Sequence, residues 1–237
     1  MPKHGKRYNS AVAEYDLAAP LPLAEAVKRV KQSATAMFDE TVELHIRTTL
    51  DPRHADQQVR GTTNLPHGLG KTIRVAVFAE GEAARDAEAA GAVIVGADDL
   101  IKKVEDGFTD FDVALAQREM MGKVGKLGRI LGPRGLMPNP RSGTVVGAGE
   151  VGKAVEEAQA GRVEFRLDRL ALMHIPVGKA SFDEQQLVEN VAAVVHEVVK
   201  AKPSGTKGTY IHGLHLTSTM GPSVKMELQS TLATTVE

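Results

Sequence analysis

The spacing of apolar positions along the chain changes several times, and each change predicts an element. From Leu23 to Ala36, Ala26, Val27 and Val30 recur at helical spacing with Lys28, Arg29 and Lys31 between them, which predicts a short amphipathic helix. From Phe38 to Thr49 the period falls to two: Val42, Leu44 and Ile46 face one way while Glu43, His45 and Arg47 face the other, as in a half-exposed strand. Residues 72–78 (TIRVAVF) predict another strand. Apolar runs follow at 93–95 and 113–115, separated by Ala- and charge-rich helical stretches at 82–90 and 98–105. Such alternation of strand and helix is the pattern of a layered parallel α/β unit. After Ala160 the character changes to strands at 162–167 and 171–177, then a helix opened by Ser181 and Glu184 as a capping box. Its apolar positions Leu187, Val191, Val194 and Val195 carry it to about Lys200, and strands at 209–218 and 223–228 follow.

This order predicts an α/β fold in two domains. A discontinuous α+β domain comes from residues 1–67 and 160–237, and an α/β domain of residues 68–159 is inserted within it. The turns at Pro66–Gly70 and around Gly161 join them, and two such crossings would permit a hinge.

Composition narrows the chemistry. With 237 residues the chain can bury a substantial core, and the absence of Cys removes disulfides, thiol nucleophiles, iron-sulfur clusters and Cys-ligated zinc. The N-terminal MPKHGKRYNS is basic but leads into no apolar core, so no signal peptide is expected, and no run reaches the ~20 apolar residues of a membrane helix. The 29 Lys plus Arg against 30 Asp plus Glu argue at first against a nucleic-acid partner. Their distribution does not. Residues 80–119 hold 4 basic and 11 acidic side chains, whereas 120–145 hold Lys123, Lys126, Arg129, Arg134 and Arg141 and no acid, among six glycines and three prolines. Gly and Pro at that density exclude a long regular helix and let exposed amides and cations approach a ligand; a solvated surface is the plainer alternative.

Two motifs imitate enzymes. Gly147–Lys153 (GAGEVGK) resembles a phosphate-binding loop, but Ala154 stands where a magnesium-holding hydroxyl is needed, and Glu164 and Asp168 come too early for the ribose-binding acid of a dinucleotide site. The bland reading is a turn leading into a helix over 153–159. His196-Glu197 begins like a zinc-protease helix, but Lys200 replaces the second His, and the odd spacing of His212 and His215 places them on opposite faces of a strand. No catalytic residues, metal or cofactor are therefore expected, and the chain is not read as an enzyme. A nucleotide-dependent α/β enzyme using Gly147–Lys153 is the rival.

Only three Tyr and six Phe occur, too few for a base-stacking platform, so a nucleic-acid partner would be structured RNA read by hydroxyls, amides and a few apolar contacts. Two segments have that composition, Phe38–Glu43 and Thr217–Pro222. Phe38 as a core residue and 217–222 as an ordinary turn are the alternatives.

Residues 121–145 (MGKVGKLGRILGPRGLMPNPRSGTV) resemble the signature of the large-subunit ribosomal protein L-one family, in its bacterial form. The likeness extends through GKRY (5–8), FDETVE (38–43), DPRHADQQVRGT (51–62), LPHGLGK (65–71), GRVEFR (161–166), PVGKASF (176–182) and STMGPSVK (218–225). It implies a first domain built from both chain ends and an inserted domain that is Rossmann-like, with three layers. It also implies an rRNA and mRNA site at Phe38, Thr41, Glu43, Thr217, Thr219, Met220 and Gly221, with Arg166 and Lys179 nearby. Secondary RNA contacts fall to Lys123, Lys126, Arg129, Arg134 and Arg141. The family often carries Lys before FDET, where this chain has Met37. The partners implied are large-subunit rRNA at the mobile stalk, the chain's own operon mRNA, E-site tRNA and other ribosomal components. The implied location is the ribosome in the cytoplasm, with the free chain a monomer.

Overall fold

The computed structural model describes residues 5–13, 16, 19–206 and 208–233. Residues 1–4 of the basic N-terminal stretch lie outside them. Along the chain, α1 (Lys6–Ala13), α2 (Leu23–Ser33), β1 (Thr41–Thr48) and β2 (Arg60–Asn64) come first. The middle holds β3 (Val75–Phe78), α3 (Glu82–Ala89), β4 (Ile94–Gly96), α4 (Asp98–Glu105), β5 (Val113–Gln117), the short α5 (Met121–Val124) and α6 (Gly128–Leu131), β6 (Val145–Val146) and α7 (Val151–Gln159). The last part holds β7 (Arg162–Arg166), β8 (Leu172–Lys179), α8 (Glu184–Lys200), β9 (Ile211–Ser218), β10 (Val224–Met226) and α9 (Leu228–Ala233). The chain divides into two compact units, Met1–Gly70 with Val163–Glu237, and Lys71–Arg162.

In the terminal unit the sheet order is β10-β9-β1-β8, every pair antiparallel, so β1 from the beginning of the chain lies between two strands from its end. The period-two pattern explains its two faces. Val42, Leu44 and Ile46 are buried with Met173, Ile175, Val177, Leu214 and Leu216. Against them pack Ala26, Val27 and Val30 of α2 and Leu187, Val191, Val194 and Val198 of α8. Each of the Val, Leu, Ile and Met side chains contributes roughly 1.5–3 kcal/mol on leaving water. The alternate positions Glu43, His45 and Arg47 remain accessible. A ribbon of β2 and β7 completes the unit, with Arg60 Nε 2.5 Å from Glu164 Oε1 across it.

The inserted unit has a parallel sheet in the order β4-β3-β5-β6. All four residues of β3 are buried, as expected where helices cover both faces. Ala76, Phe78, Ala114 and Ala116 share a cluster with Leu100, Ile101 and Val104 of α4 and with Val124, Leu127 and Leu131, while α7 contacts β3 and β5. Lys71 Nζ and Arg74 Nε lie 2.6 and 3.1 Å from the Asp112 carboxylate, and the Lys71 bond is the largest of the effects holding that acid down to about 2.

Several expectations need correction. Helix α2 ends at Ser33, short of Ala36, because the Ala36 amide donates instead to Glu40 Oε1 at 2.9 Å. The capping box of α8 is Asp183 with Gln186; the Ser181 hydroxyl is engaged by Asp39 Oδ2 at 2.8 Å. The strand expected over 209–218 has an irregularity at His212, since Arg47 pairs with Gly213 and Thr48 with Ile211. Strict alternation breaks there, so neither His212 nor His215 is buried in the core. The Gly-rich segment 120–145 has no long helix, as its composition predicts, but its first part is not open backbone: residues 118–131 form consecutive short helical turns whose Val124, Leu127 and Leu131 anchor in the core. Gly122, Gly125 and Gly128 lie where an added Cβ would meet nothing within 4 Å, so packing does not require them.

Candidate nucleic-acid interface

The two segments singled out above meet at one end of the two central strands, β1 and β9, around a carboxylate that composition alone did not flag. Glu40 is 1% exposed, and its two oxygens accept from the Ala36 amide and the Met220 amide, each at 2.9 Å. Burial pushes this carboxyl up, but the Met220 and Ala36 amides, joined by the Ser218 hydroxyl and the Arg7 charge, hold it below the ordinary carboxylate range. A signal was present: extended back one step, the period-two alternation puts Glu40 in phase with Val42, Leu44 and Ile46, on the core side.

A second clasp lies beside it. The Thr219 hydroxyl accepts from the Thr41 amide at 3.0 Å and donates to the Thr41 carbonyl at 3.3 Å, prolonging the β1 and β9 ladder with a side chain. Lys179 Nζ donates to Thr41 Oγ1 at 2.8 Å, and Asp39 accepts from the amide and hydroxyl of Ser181. The Thr217 hydroxyl donates to the Ser218 carbonyl at 3.1 Å, and Thr217 stands opposite Glu43 in register. At Gly221 a Cβ would run into the Ser218 hydroxyl and crowd that of Ser33 at 3.2 Å, so only glycine lets this loop close onto α2.

The expected residues thus divide by role. Thr41, Lys179, Thr217, Thr219 and Gly221 build the platform, while the side chains of Phe38 and Met220 stand off it, 55% and 54% exposed, with Met37 fully in solvent. Phe38 is therefore not a core residue. Glu43 is half-exposed on the same open face, its Oε2 3.8 Å from His45 Nε2. Arg166 is exposed on the β2 and β7 ribbon, and no hydrogen bond joins it to the Glu40 cluster. Asp39, Glu40 and Ser181 are the residues that sequence reasoning missed.

In the inserted unit the basic segment meets part of the neighbouring acidic one. Lys123 Nζ lies 3.1 Å from Glu80 and 2.9 Å from Asp98, and the two carboxylates hold the ammonium above its ordinary range. Arg134 donates to Thr109, and the Arg141 amide is capped by Asn139 Oδ1. Among the described residues Lys126, Arg129 and Arg141 form no ion pair. Within Gly147–Gly152, a single 3-10 turn at Ala148–Glu150 runs into α7 at Val151.

Hydroxyls and amides with two exposed apolar side chains thus form an open surface at one end of the terminal sheet, in a two-unit mixed α/β protein. Among the described residues no group of three His, Asp or Glu is arranged to hold a metal, and no helix is long and apolar enough to cross a membrane. The ribosomal protein L1p/L10e family profile matches residues 30–222. The large ribosomal subunit protein uL1 of Dehalococcoides mccartyi strain BAV1 is 54% identical over 233 residues, 98% of each chain. Those of Chloroflexus aggregans and Chloroflexus aurantiacus strain J-10-fl are 54% and 53% identical over 229 and 228 residues, 96% of this chain and 97% and 96% of theirs. The chain belongs to the ribosomal protein L1p/L10e family. It is accordingly a ribosomal protein, not an enzyme, and the rival reading of Gly147–Lys153 as a nucleotide site falls with that.

Proposed function

We propose that the chain is a constituent of the large ribosomal subunit that binds large-subunit rRNA through the terminal unit. The observation that carries this is the Glu40 clasp, which brings Phe38 and Met220 from opposite ends of the sequence to one rigid end of the sheet. A wide, shallow RNA minor groove is read by such hydroxyls, amides and apolar contacts on a firm base, with Thr41, Glu43, Lys179, Thr217, Thr219 and Gly221 shaping it and Arg166 reaching phosphate nearby. The rRNA is the mobile stalk beside the E site. From there the protein assists release of deacylated tRNA, and the same surface binds the chain's own operon mRNA and represses it. The domain from both chain ends holds the main site, and the Rossmann-like insertion adds secondary RNA contacts through Lys126, Arg129 and Arg141, with Lys123 and Arg134 alongside. The free chain is a cytoplasmic monomer that joins the ribosome.

Binding of the purified chain to a stalk fragment of large-subunit rRNA tests the reading, with an operon mRNA leader as competitor. Affinity for the fragment that Met220→Ala does not change would overturn the assigned surface, and failure to bind would overturn the function.

A further inference from the structure

The open face of the terminal sheet carries a row of side chains that the rRNA reading leaves unused. Lys225 pairs with His215, His215 with His45, and His45 with His174, so a single level of the sheet crosses all four strands as Lys225, His215, His45, His174. Directly paired residues share a face. The core side is taken by their neighbours in sequence, Leu44, Ile46, Met173, Ile175, Leu214, Leu216, Val224 and Met226, all buried. The row therefore looks outward. Two residues along β1 in one direction stands Glu43, opposite Thr217, and two further is Thr41 of the platform, about 13 Å away at strand rise. Two residues in the other direction is the exposed Arg47.

We propose that this row is a proton-dependent phosphate contact, with the RNA backbone running from the Thr41 platform down the open face and His45 and His215 taking up protons against its phosphates. It rests on the reading of the chain as an rRNA-binding protein. The geometry supplies the mechanism. His45 Nδ1 and His174 Nδ1 lie 2.6 Å apart, so they share one proton, and a second must separate them. Around the row stand Glu43 and Arg47 on β1, Asp168 with its carboxylate 3.6 Å from His174 Nε2, and Lys225 on β10.

Burial, followed by His174, holds His45 below its ordinary range, with Glu43 opposing and His215 adding to the depression. Burial, followed by Lys225 and Arg47, does the same to His215. Without a ligand these two imidazoles are thus neutral at physiological pH. A phosphate laid across them offsets the repulsion from their cationic neighbours and favours the doubly donating imidazolium. The bound state then holds more protons than the free state, and affinity rises as pH falls through the bound-state titration.

The occupant argued for is RNA backbone. The row is continuous with the proposed platform, Lys225 and Arg47 complement an anion, and the row itself contains no large apolar side chain to cover in a protein interface.

The test measures affinity of the full chain for a stalk fragment of large-subunit rRNA at fixed salt, from about pH 8 to about pH 5.5. The parent chain is compared with the double variant H45N/H215N and, separately, Lys225→Ala. The parent is expected to gain on the order of tenfold more affinity across that range than the double variant, consistent with uptake of about one proton. Lys225→Ala is expected to weaken binding throughout. Ring-proton NMR of the parent should show the His45 and His215 titrations moving to higher pH when RNA is added, a readout that needs no variant to fold. Parallel pH profiles or unmoved titrations, with binding intact at about pH 8, would overturn the row and leave the platform standing. An equal movement with polyglutamate would assign the face to acidic protein instead and overturn the proposal. No binding at any pH would remove both readings.

Discussion

The terminal and inserted units both pack helices against a four-stranded sheet, but they leave different surfaces to solvent. In the first, antiparallel strands are covered by α2 and α8 on one side only, so alternate residues of β1, β8 and β9 form an open face. In the second, β3 is buried along its whole length and β5 along all but Val113, so the two central strands present no open face. Lys126 and Arg129 stand instead on its helical turns. Exposed polar surface on a sheet is thus a property of strand direction and connection before it is one of composition.

Core truncation separates the two units most strongly. Phe78→Ala in the inserted unit should cost about 3–5 kcal/mol of local stability, visible as lost amide-exchange protection in residues 71–162, while rRNA affinity survives. Affinity that vanished with it would break the division of labour. Glu40→Ala in the terminal unit should cost about 2–4 kcal/mol and weaken RNA binding as well, because the Ala36 and Met220 amides lose their acceptor inside the fold. Denaturant melts alongside binding titrations would check both. Met220→Ala should weaken the complex by about 1–3 kcal/mol and leave the free chain's melting unchanged, its side chain being exposed. Thr219→Ala, by contrast, should lower both, since its hydroxyl bonds the Thr41 backbone twice.

Acid offers a gentler comparison. The depressed Asp112 carboxyl stabilises the inserted unit above its unfolded value near 3.8, and that contribution is lost as pH falls through about 2. Asp112→Asn should therefore remove about 1–2 kcal/mol at neutral pH and flatten the acid limb of that unit's unfolding. The smallest effect is expected from K126A/R129A. A fall of about 0.3–1 kcal/mol in RNA affinity, with a shallower salt slope, would sharpen the assignment of secondary contacts.

What could be read in the sequence follows from how local each cause is. The β1 alternation and the α8 stripe are periodic over many residues, and both elements occur inside the predicted spans, β1 as Thr41–Thr48 and α8 as Glu184–Lys200. The start of α8 is harder to read because Ser181 and Asp183 are equally good caps in isolation. Only the tertiary bond from Ser181 to Asp39 decides between them. The short helical turns at 118–131 are not legible for a similar reason: three anchoring apolar residues outweigh poor helix propensity once a core exists to receive them. Glu40 was legible in phase but not in role, since its second partner lies 180 residues away. The row of histidines was invisible altogether, because it is a fact of register among four strands.

The sheet order β10-β9-β1-β8 also imposes a timetable on synthesis. Strand β1 leaves the ribosome early but has no partner until β8 and β9 emerge, more than 120 residues later. At roughly 5–20 residues per second that is a wait of about 6–25 seconds, during which the inserted unit has everything it needs to fold. The Glu40 clasp closes only when Met220 arrives, so no nascent chain can hold it before residue 220 has emerged. Products of translation interrupted before that point would lack the clasp altogether.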